Sequence, residues 1–413
     1  LKFELFIAKR LIGAKDYKSS ISAPIIKIAI TAIALGVVMM LIAVATGIGL
    51  QEKIRDKIAA FNGHIVIHHL DNNNSNTSER PILLAQPFYP SFTSVTGVSH
   101  IQAVAKKYGV IRTEDDFEGI VFKGVGEDYR WDYMEEYLVS GRLPNFNDSI
   151  KYSKEIMLST YTAARLNFKL NDQVVVYFMG DNAQRKPRLI AFDVVGFYNS
   201  GFEEFDKNYI LGDLAQIQRL NKWDKNQVGS FEVFVNDFTE IDQVTGEIYQ
   251  TIDSFLDATS IKQSYASIFE WLSMFDFNII LIIGVIILVS GINMVTALLV
   301  LILERTPMIG TLKALGSNDW SIRKLFLYNA AYLIGKGLFW GNLIGIGLLL
   351  VQKYTKIIPL PQETYYVAEV PIFINVWIII LINIGTLLLC LLMLLIPSVV
   401  VTKISPSRAM RFE

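Results

Sequence analysis

Three histidines, His64, His68 and His69, lie within six residues of one another and could offer imidazole nitrogens to a metal ion. The stretch "HIVIHHL" that carries them alternates like a β-strand, which sends His68 and His69 to opposite faces. No cysteine or acidic residue is spaced to complete a ligand set. Glu203, Glu204 and Asp206 in "SGFEEFD" are dense enough to imitate the carboxylate pair of a glycoside hydrolase, but a solvated loop after a strand accounts for them far better. The phosphate-cradling pattern GxxxxGK[ST] does not occur, so any energy from ATP has to come from a partner. The sequence therefore reads as non-catalytic, with no metal and no cofactor of its own.

One charge stands where charges are costly. Lys336 in "LIGKGLFWGN" falls deep in an apolar stretch, where a cation costs roughly 2.5 to 3.5 kcal/mol on insertion scales. It is expected to face protein or water. Two roles suit it: lining a cavity between subunits that takes a lipid headgroup or a polar part of cargo, or pairing with a structural partner such as a backbone carbonyl or Asn342.

The elements that must position these residues belong to two solvents. The 413 residues are 52% hydrophobic, and the mean hydropathy is +0.37, too apolar for an ordinary soluble enzyme and too charged for an all-membrane chain. About 20 apolar residues span a bilayer as a helix. Four stretches qualify: Ile28 to Leu50, Phe277 to Leu303, Leu325 to Val351 and Ile372 to Ile396. Lysine and arginine gather before the first span (residues 1–27), between the second and third (304–324) and in the tail (397–413), which predicts that all three are cytoplasmic. The 51–273 insert holds 22 Lys and Arg against 31 Asp and Glu and is expected outside, with 352–371 as a second, short outside loop. The first span is longer than a signal-peptide core and runs on into "TGIGLQEKIRDKIAAF", which reads as an uncleaved anchor. The single cysteine, Cys390, lies in the fourth span, so the insert has no disulfide.

Within the insert, alternating or β-branched runs predict strands: "HIVIHHL" at 64, "EGIVFKGV" at 118, "EIMLS" at 155, "DQVVVYFM" at 172, "RLIAFDVVGFY" at 188 and "SFEVFVNDF" at 230. Helices are expected at "STYTAARLNF" (159), "DLAQIQRLNKW" (213, with Asp213 as cap) and "EIDQVTGEIYQTI" (240). The insert is thus α+β, with "DNNNSNTSERP" at 71 as a loop and "GRLP" at 141 as a turn near its middle. Gly337, Gly341 and Gly345 share one face of the third span and permit close helix contact, within the chain or at a dimer seam.

Directly after the second span, "ERTPMIGTLKALGSNDWSIRKLF" predicts a compact helix: Thr306 can cap it, Pro307 suits its first position and Gly316 stops it. Met308, Leu312 and Leu315 fall at i, i+4 and i+7, with Thr311 and Lys313 off that stripe. Such a face suits lipid headgroups or a partner protein.

With four spans, inside termini and a large outside insert, this motif strongly resembles the cytoplasmic loop of FtsX-like ABC transporter permeases, in which the loop forms the coupling helix that sits on a separate ATPase. The resemblance implies that Arg305, Met308, Ile309, Gly310, Leu312, Lys313, Ala314, Leu315 and Gly316 couple to that ATPase. Met308 stands where many members carry an acidic residue. The closing "SPSRAMRFE" resembles the family's C-terminal signature at Pro406, Ala409 and Arg411. Within the family the chain looks most like lipoprotein-releasing permeases of the LolC/LolE type, through "FELFIAKRLI", "EIMLSTYTAARLNFKLNDQVVVYF", "VVGFYNSGFEEFDKNYIL" and "ETYYVAEVPI", with Asn171 in place of the usual glycine before Asp172.

The resemblance implies a membrane α-helical fold of four transmembrane helices, with a MacB-like α+β periplasmic core domain between helices 1 and 2. It further implies a dimer with a second copy or paralogue in the bacterial inner membrane. Two LolD-like ATPase subunits would bind ATP and Mg, and a LolA-like periplasmic carrier would receive lipoproteins drawn from the membrane lipids. Nucleic acid is not an expected partner. The alternatives are a MacB-type efflux permease for peptides or toxins, against which the missing nucleotide motif counts, and FtsX-type signalling to cell-wall hydrolases, whose outside domain is typically much smaller.

Overall fold

A computed structural model describes residues 22–74, 79–114, 116–146, 152–179 and 187–403. The expected C-terminal signature at Pro406, Ala409 and Arg411 and the tip of the 71–81 loop lie outside the described residues. Two compact units emerge: one from the described parts of 1–50, 271–359 and 370–413, the other from 51–270 joined by 360–369. The segment 352–371, expected as a short outside loop, is thus divided between the units, because residues 360–369 pack with the second one.

Five helices define the first unit: α1 (Ser22–Asn62, of which residues to 50 belong here), α2 (Ala266–Glu304, of which residues from 271 belong here), the short α3 (Thr306–Ala314), α4 (Asp319–Thr355) and α5 (Val376–Ser398). All but α3 are long and apolar enough to cross a membrane. Without water in a bilayer core, backbone groups must be satisfied within the segment, and long helices do this. Their mutual packing uses small residues. A Cβ added at Gly337, Gly341 or Gly345 of α4 would meet Ile33, Val37 or Leu41 of α1, respectively. The two rows share the same i, i+4, i+8 spacing and ascend together, so α1 and α4 run parallel, as alternating crossings require. The glycine face that could have served a dimer seam is therefore occupied within the chain. Gly36 of α1 approaches Ile286 and Ser290 of α2, and Gly291 of α2 approaches Met393 of α5.

The second unit is a mixed sheet with flanking helices. Its strands are β1 (Ile65–His69), β2 (Ile82–Leu83), β3 (Val98–Arg112), β4 (Phe117–Val125), β5 (Leu138–Gly141), β6 (Glu155–Ser159), β7 (Gln173–Phe178), β8 (Arg188–Tyr198), β9 (Tyr209–Asp213), β10 (Gln227–Val228), β11 (Ser230–Val235) and β12 (Leu256–Ser260). Ten of them form one sheet in the order β12-β1-β11-β3-β4-β9-β6-β8-β5, with β7 bridging β3 and β8, while β2 and β10 pair separately. Through β7 the pairing β3-β4-β9-β6-β8-β7-β3 closes a ring of six strands. Phe122, Phe178 and Phe192 fill it, with ring centroids 5.0 to 6.2 Å apart. The other wing, β12-β1-β11, continues from the first half of β3. The two wings therefore meet along β3, whereas "GRLP" marks only a turn, in which Gly141 has φ +84.

The six strands expected from β-branched runs all form, as do the three helices. Asp213 caps its helix through the Ala215 N–H, and Ser159 caps another through Thr162. Asn171 adopts φ +69 and donates its N–H to the Val194 carbonyl at 2.8 Å, so this turn is held by a residue that tolerates the left-handed region.

The glycine seam carries a prediction. At Gly341 the nearest obstacles to a Cβ are Val37 at 2.7 Å and the Ala34 carbonyl oxygen at 2.8 Å, whereas Gly347 meets nothing within 4 Å. Gly341→Leu should lose on the order of 1 to 3 kcal/mol, seen as a lower thermal midpoint of the detergent-solubilised chain, while Gly347→Ala leaves it unchanged or raises it.

Candidate functional site

The short helix α3 is held from one side and open on the other. Ile309 and Gly310 are buried, and Met308 and Leu312 pack against the same apolar core. Leu315 is 79% exposed, and Pro307, Thr311 and Ala314 are exposed with it. The expected stripe Met308, Leu312, Leu315 is therefore not the free face: two of its members face the chain's own core. The free face reads Pro307, Thr311, Ala314, Leu315, at i, i+4, i+7 and i+8. Both faces of this short helix are apolar, so periodicity alone does not choose between them.

The ends of α3 are built differently from expectation at one terminus and as expected at the other. Arg305 occupies the N-cap without a capping side-chain bond, and Pro307 lies one residue inside the helix. The Thr306 hydroxyl turns back to donate to the Leu303 carbonyl at 2.7 Å, so it extends the end of α2 rather than capping α3. At the other end Gly316 has φ +89; its N–H reaches the Lys313 carbonyl at 3.0 Å and the Ser317 N–H reaches Leu312 at 2.9 Å, a Schellman stop. The Lys313 ammonium is tucked against Asp319 at 2.8 Å and the Thr402 carbonyl at 3.2 Å, which fixes the loop between α3 and α4. Arg305 Nε is buried and, among the described residues, finds no hydrogen-bond partner.

Lys336 and Asn342 do not meet. Asn342 exchanges hydrogen bonds with Asn383 at 2.6 and 3.0 Å, tying α4 to α5. Lys336 points to the outer surface of α4, its ammonium 4.6 Å from the centroid of Tyr332.

In the second unit the structurally dominant feature is the end of α1. Ile54, Ile58 and Phe61, at i, i+4 and i+7, are fully buried. Phe61 stacks on Phe205 at 4.5 Å. The last turn of a helix leaves its carbonyls unpaired, and here three of them find donors: Gly63 N–H to Ala59 at 2.7 Å, the Tyr129 hydroxyl to Ala60 at 3.1 Å, and the Lys123 ammonium to Phe61 at 2.7 Å. Lys123 is buried and lies 2.7 and 2.9 Å from the two carboxylate oxygens of buried Glu232, one of which also accepts from Gln102 at 2.8 Å. Burial pushes the Lys123 ammonium down to about 8, against the pull of Glu232. Sequence reasoning missed this residue, since a lysine in "EGIVFKGV" reads as the solvent-facing position of an alternating strand.

Two stretches that resemble lipoprotein-releasing permeases come together beside this helix end. The Lys57 ammonium donates to the carbonyls of Ser200 and, at 2.8 Å, Tyr366, and Phe202 stacks on Tyr366 at 4.6 Å. Asp206 is buried rather than solvated, and its carboxylate gathers the N–H groups of Ser200 and Gly201 at 3.0 and 2.9 Å. Glu203 pairs with Lys207, so the three carboxylates do not converge as a hydrolase pair. The histidines separate too: His64 Nδ1 accepts the Val235 N–H at 3.0 Å, and no group of three potential metal ligands exists among the described residues.

Comparison with known proteins places this architecture. The MacB-like periplasmic core domain family matches residues 28–251, more than half of the chain, and the C-terminal domain of FtsX-like permeases matches residues 280–406. The chain belongs to this family of membrane-spanning ABC transporter permeases, with four membrane helices and a periplasmic-type domain inserted after the first. More particularly, it is 24% identical over 438 residues to the lipoprotein-releasing system transmembrane protein LolC of Neisseria meningitidis, covering 99% of each chain. LolC of Xylella fastidiosa is 21% identical over 93% of each chain, and LolE of Haemophilus influenzae 20% over 98% of each.

Two measurements test the helix anchor. Lys123→Met strands the Glu232 carboxylate in the interior and should cost about 3 to 5 kcal/mol in urea unfolding of the full chain. The double variant Lys123→Met/Glu232→Leu should lose less than that single change. His64 is held neutral by burial, helped by Arg55 and Arg130, which depresses it to about 4. Because the unfolded chain binds its proton first, stability should fall as pH drops from 6.5 towards 4, by on the order of 3 kcal/mol relative to His64→Gln.

Proposed function

We propose that this chain is the permease subunit of a lipoprotein-releasing ABC transporter, working with a separate ATPase. Similarity to LolC and LolE that runs from end to end of both chains is the observation that carries the reading. In this account α3 is the coupling helix, and its contact surface is the face formed by Pro307, Thr311, Ala314 and Leu315. Closure of two LolD-like ATPase subunits on ATP and Mg pushes this face; Met308, Ile309 and Leu312 pass the push into the helix core against which they pack. The chain lies in the inner membrane with both termini and α3 cytoplasmic, the orientation that the Lys and Arg distribution favours. A second copy or paralogue completes the permease pair.

The work done on cargo is extraction. A lipid anchor holds about 0.8 kcal/mol per buried CH₂, so lifting acyl chains from the bilayer needs coupled ATP. The second unit hands the released lipoprotein to a LolA-like soluble carrier. α1 supplies residues to both units, and its buried, capped end gives any movement of the first span a firm attachment in the periplasmic sheet.

The test is co-purification and ATPase stimulation with the partner ATPase. Leu315→Asp places a charge on the open face without disturbing the fold and should reduce both at least tenfold. Leu312→Asp should instead lower the thermal midpoint of the permease itself. Normal ATPase association in Leu315→Asp would contradict the assigned face. ATP hydrolysis without lipoprotein transfer to the carrier would move the reading to peptide efflux or to signalling.

A further inference from the structure

The outer sides of α4 and α5 leave between them a groove of about 410 Å³. Leu327, Ala331, Leu388, Leu391 and Leu395 form its walls, and Lys324 and Tyr328 stand on its rim. Because Arg323, the neighbour of Lys324, donates to the Leu395 carbonyl at 3.2 Å, the Lys324 end of the groove is the end from which the 304–318 loop emerges. Trp320, 48% exposed, lies one turn further towards that loop.

Among the described residues, two basic side chains at this end are already committed. Arg323 also donates to the Ser398 hydroxyl at 3.1 Å and Lys313 pairs with Asp319. Lys324 makes no ion pair among the described residues; its ammonium lies 5.7 Å from the centroid of Trp320. A free lysine flanked by tryptophan and tyrosine at the end of an apolar span is the composition of a membrane interface.

The occupant must suit both ends. The leucine walls offer no donor or acceptor, so a peptide backbone seated there would leave its polar groups unsatisfied, whereas a hydrocarbon chain loses nothing. A second copy docking groove to groove about a two-fold axis would bring Lys324 towards its own symmetry mate. We propose that the groove binds one anionic glycerophospholipid, with the headgroup phosphate on Lys324 and an acyl chain between α4 and α5.

The test is native mass spectrometry of the full chain released from detergent after incubation with phosphatidylglycerol or phosphatidylcholine of matched chains. One phosphatidylglycerol should be retained about fivefold better than phosphatidylcholine, as expected for one lysine near an anionic headgroup. Lys324→Ala should remove that preference, Lys324→Arg should keep it, and Leu388→Trp, at an exposed wall position, should reduce retention of both lipids. Thermal midpoints verify that each variant is folded. Equal retention of the two lipids, or no response to Lys324→Ala and Leu388→Trp, would overturn the site. So would a dimer that Leu388→Trp abolishes, since a second copy would then fill the groove.

Discussion

The last turn of α1 ends among buried side chains, and its carbonyls must be satisfied there. Lys123 does so at Phe61, Tyr129 at Ala60 and Gly63 at Ala59. Burying an ammonium is tolerable only with a counter-charge in place, and Glu232 supplies it from β11. That requirement links β4, β11 and the helix end: Lys123 has to project from one strand, Glu232 from another, and Gln102 of β3, between them, holds the carboxylate. Much of the second unit can be understood as the frame for this contact. Phe61 adds the apolar part by stacking on Phe205, whose short helix is folded by Asp206.

The same economy of small and charged residues shapes the first unit. Three glycines let α4 lie directly on α1, and an asparagine pair joins α4 to α5, a polar contact that in lipid is worth on the order of 1 kcal/mol. Against that packed set, α3 keeps one face in and one face out. Met308 is half-buried against apolar neighbours, so a carboxylate in its place would be poorly housed in this chain. A contact there is better served by the opposite face.

What could be read from the sequence follows physical lines. Long apolar runs made the four spans plain, and β-branched alternation gave the strands whose two faces differ in solvent. β3 escaped because Lys106, Lys107 and Gly109 interrupt its apolar pattern. In the fold, Lys106 reaches Asn62 at 3.0 Å and Lys107 reaches Asn221, partners far away in sequence that no local pattern can announce. Lys123 was hidden for the same reason. Gly316 was legible because a left-handed stop is a local property, whereas the free face of α3 depends on what the rest of the chain covers. Similarly, Asn342 found Asn383 and not Lys336, a choice made by helix packing.

The functional account needs α1 to act as a stiff connection from its span to its anchored end. The most direct measurement is lipoprotein transfer per ATP hydrolysed, in liposomes with the partner ATPase and a soluble carrier, for the wild type and for Gln51→Pro, which breaks the helix between its span and its buried end. The account predicts that hydrolysis continues in the variant while transfer to the carrier is lost. Transfer at the wild-type ratio would contradict it, because the push would then reach the periplasmic domain by a route other than α1.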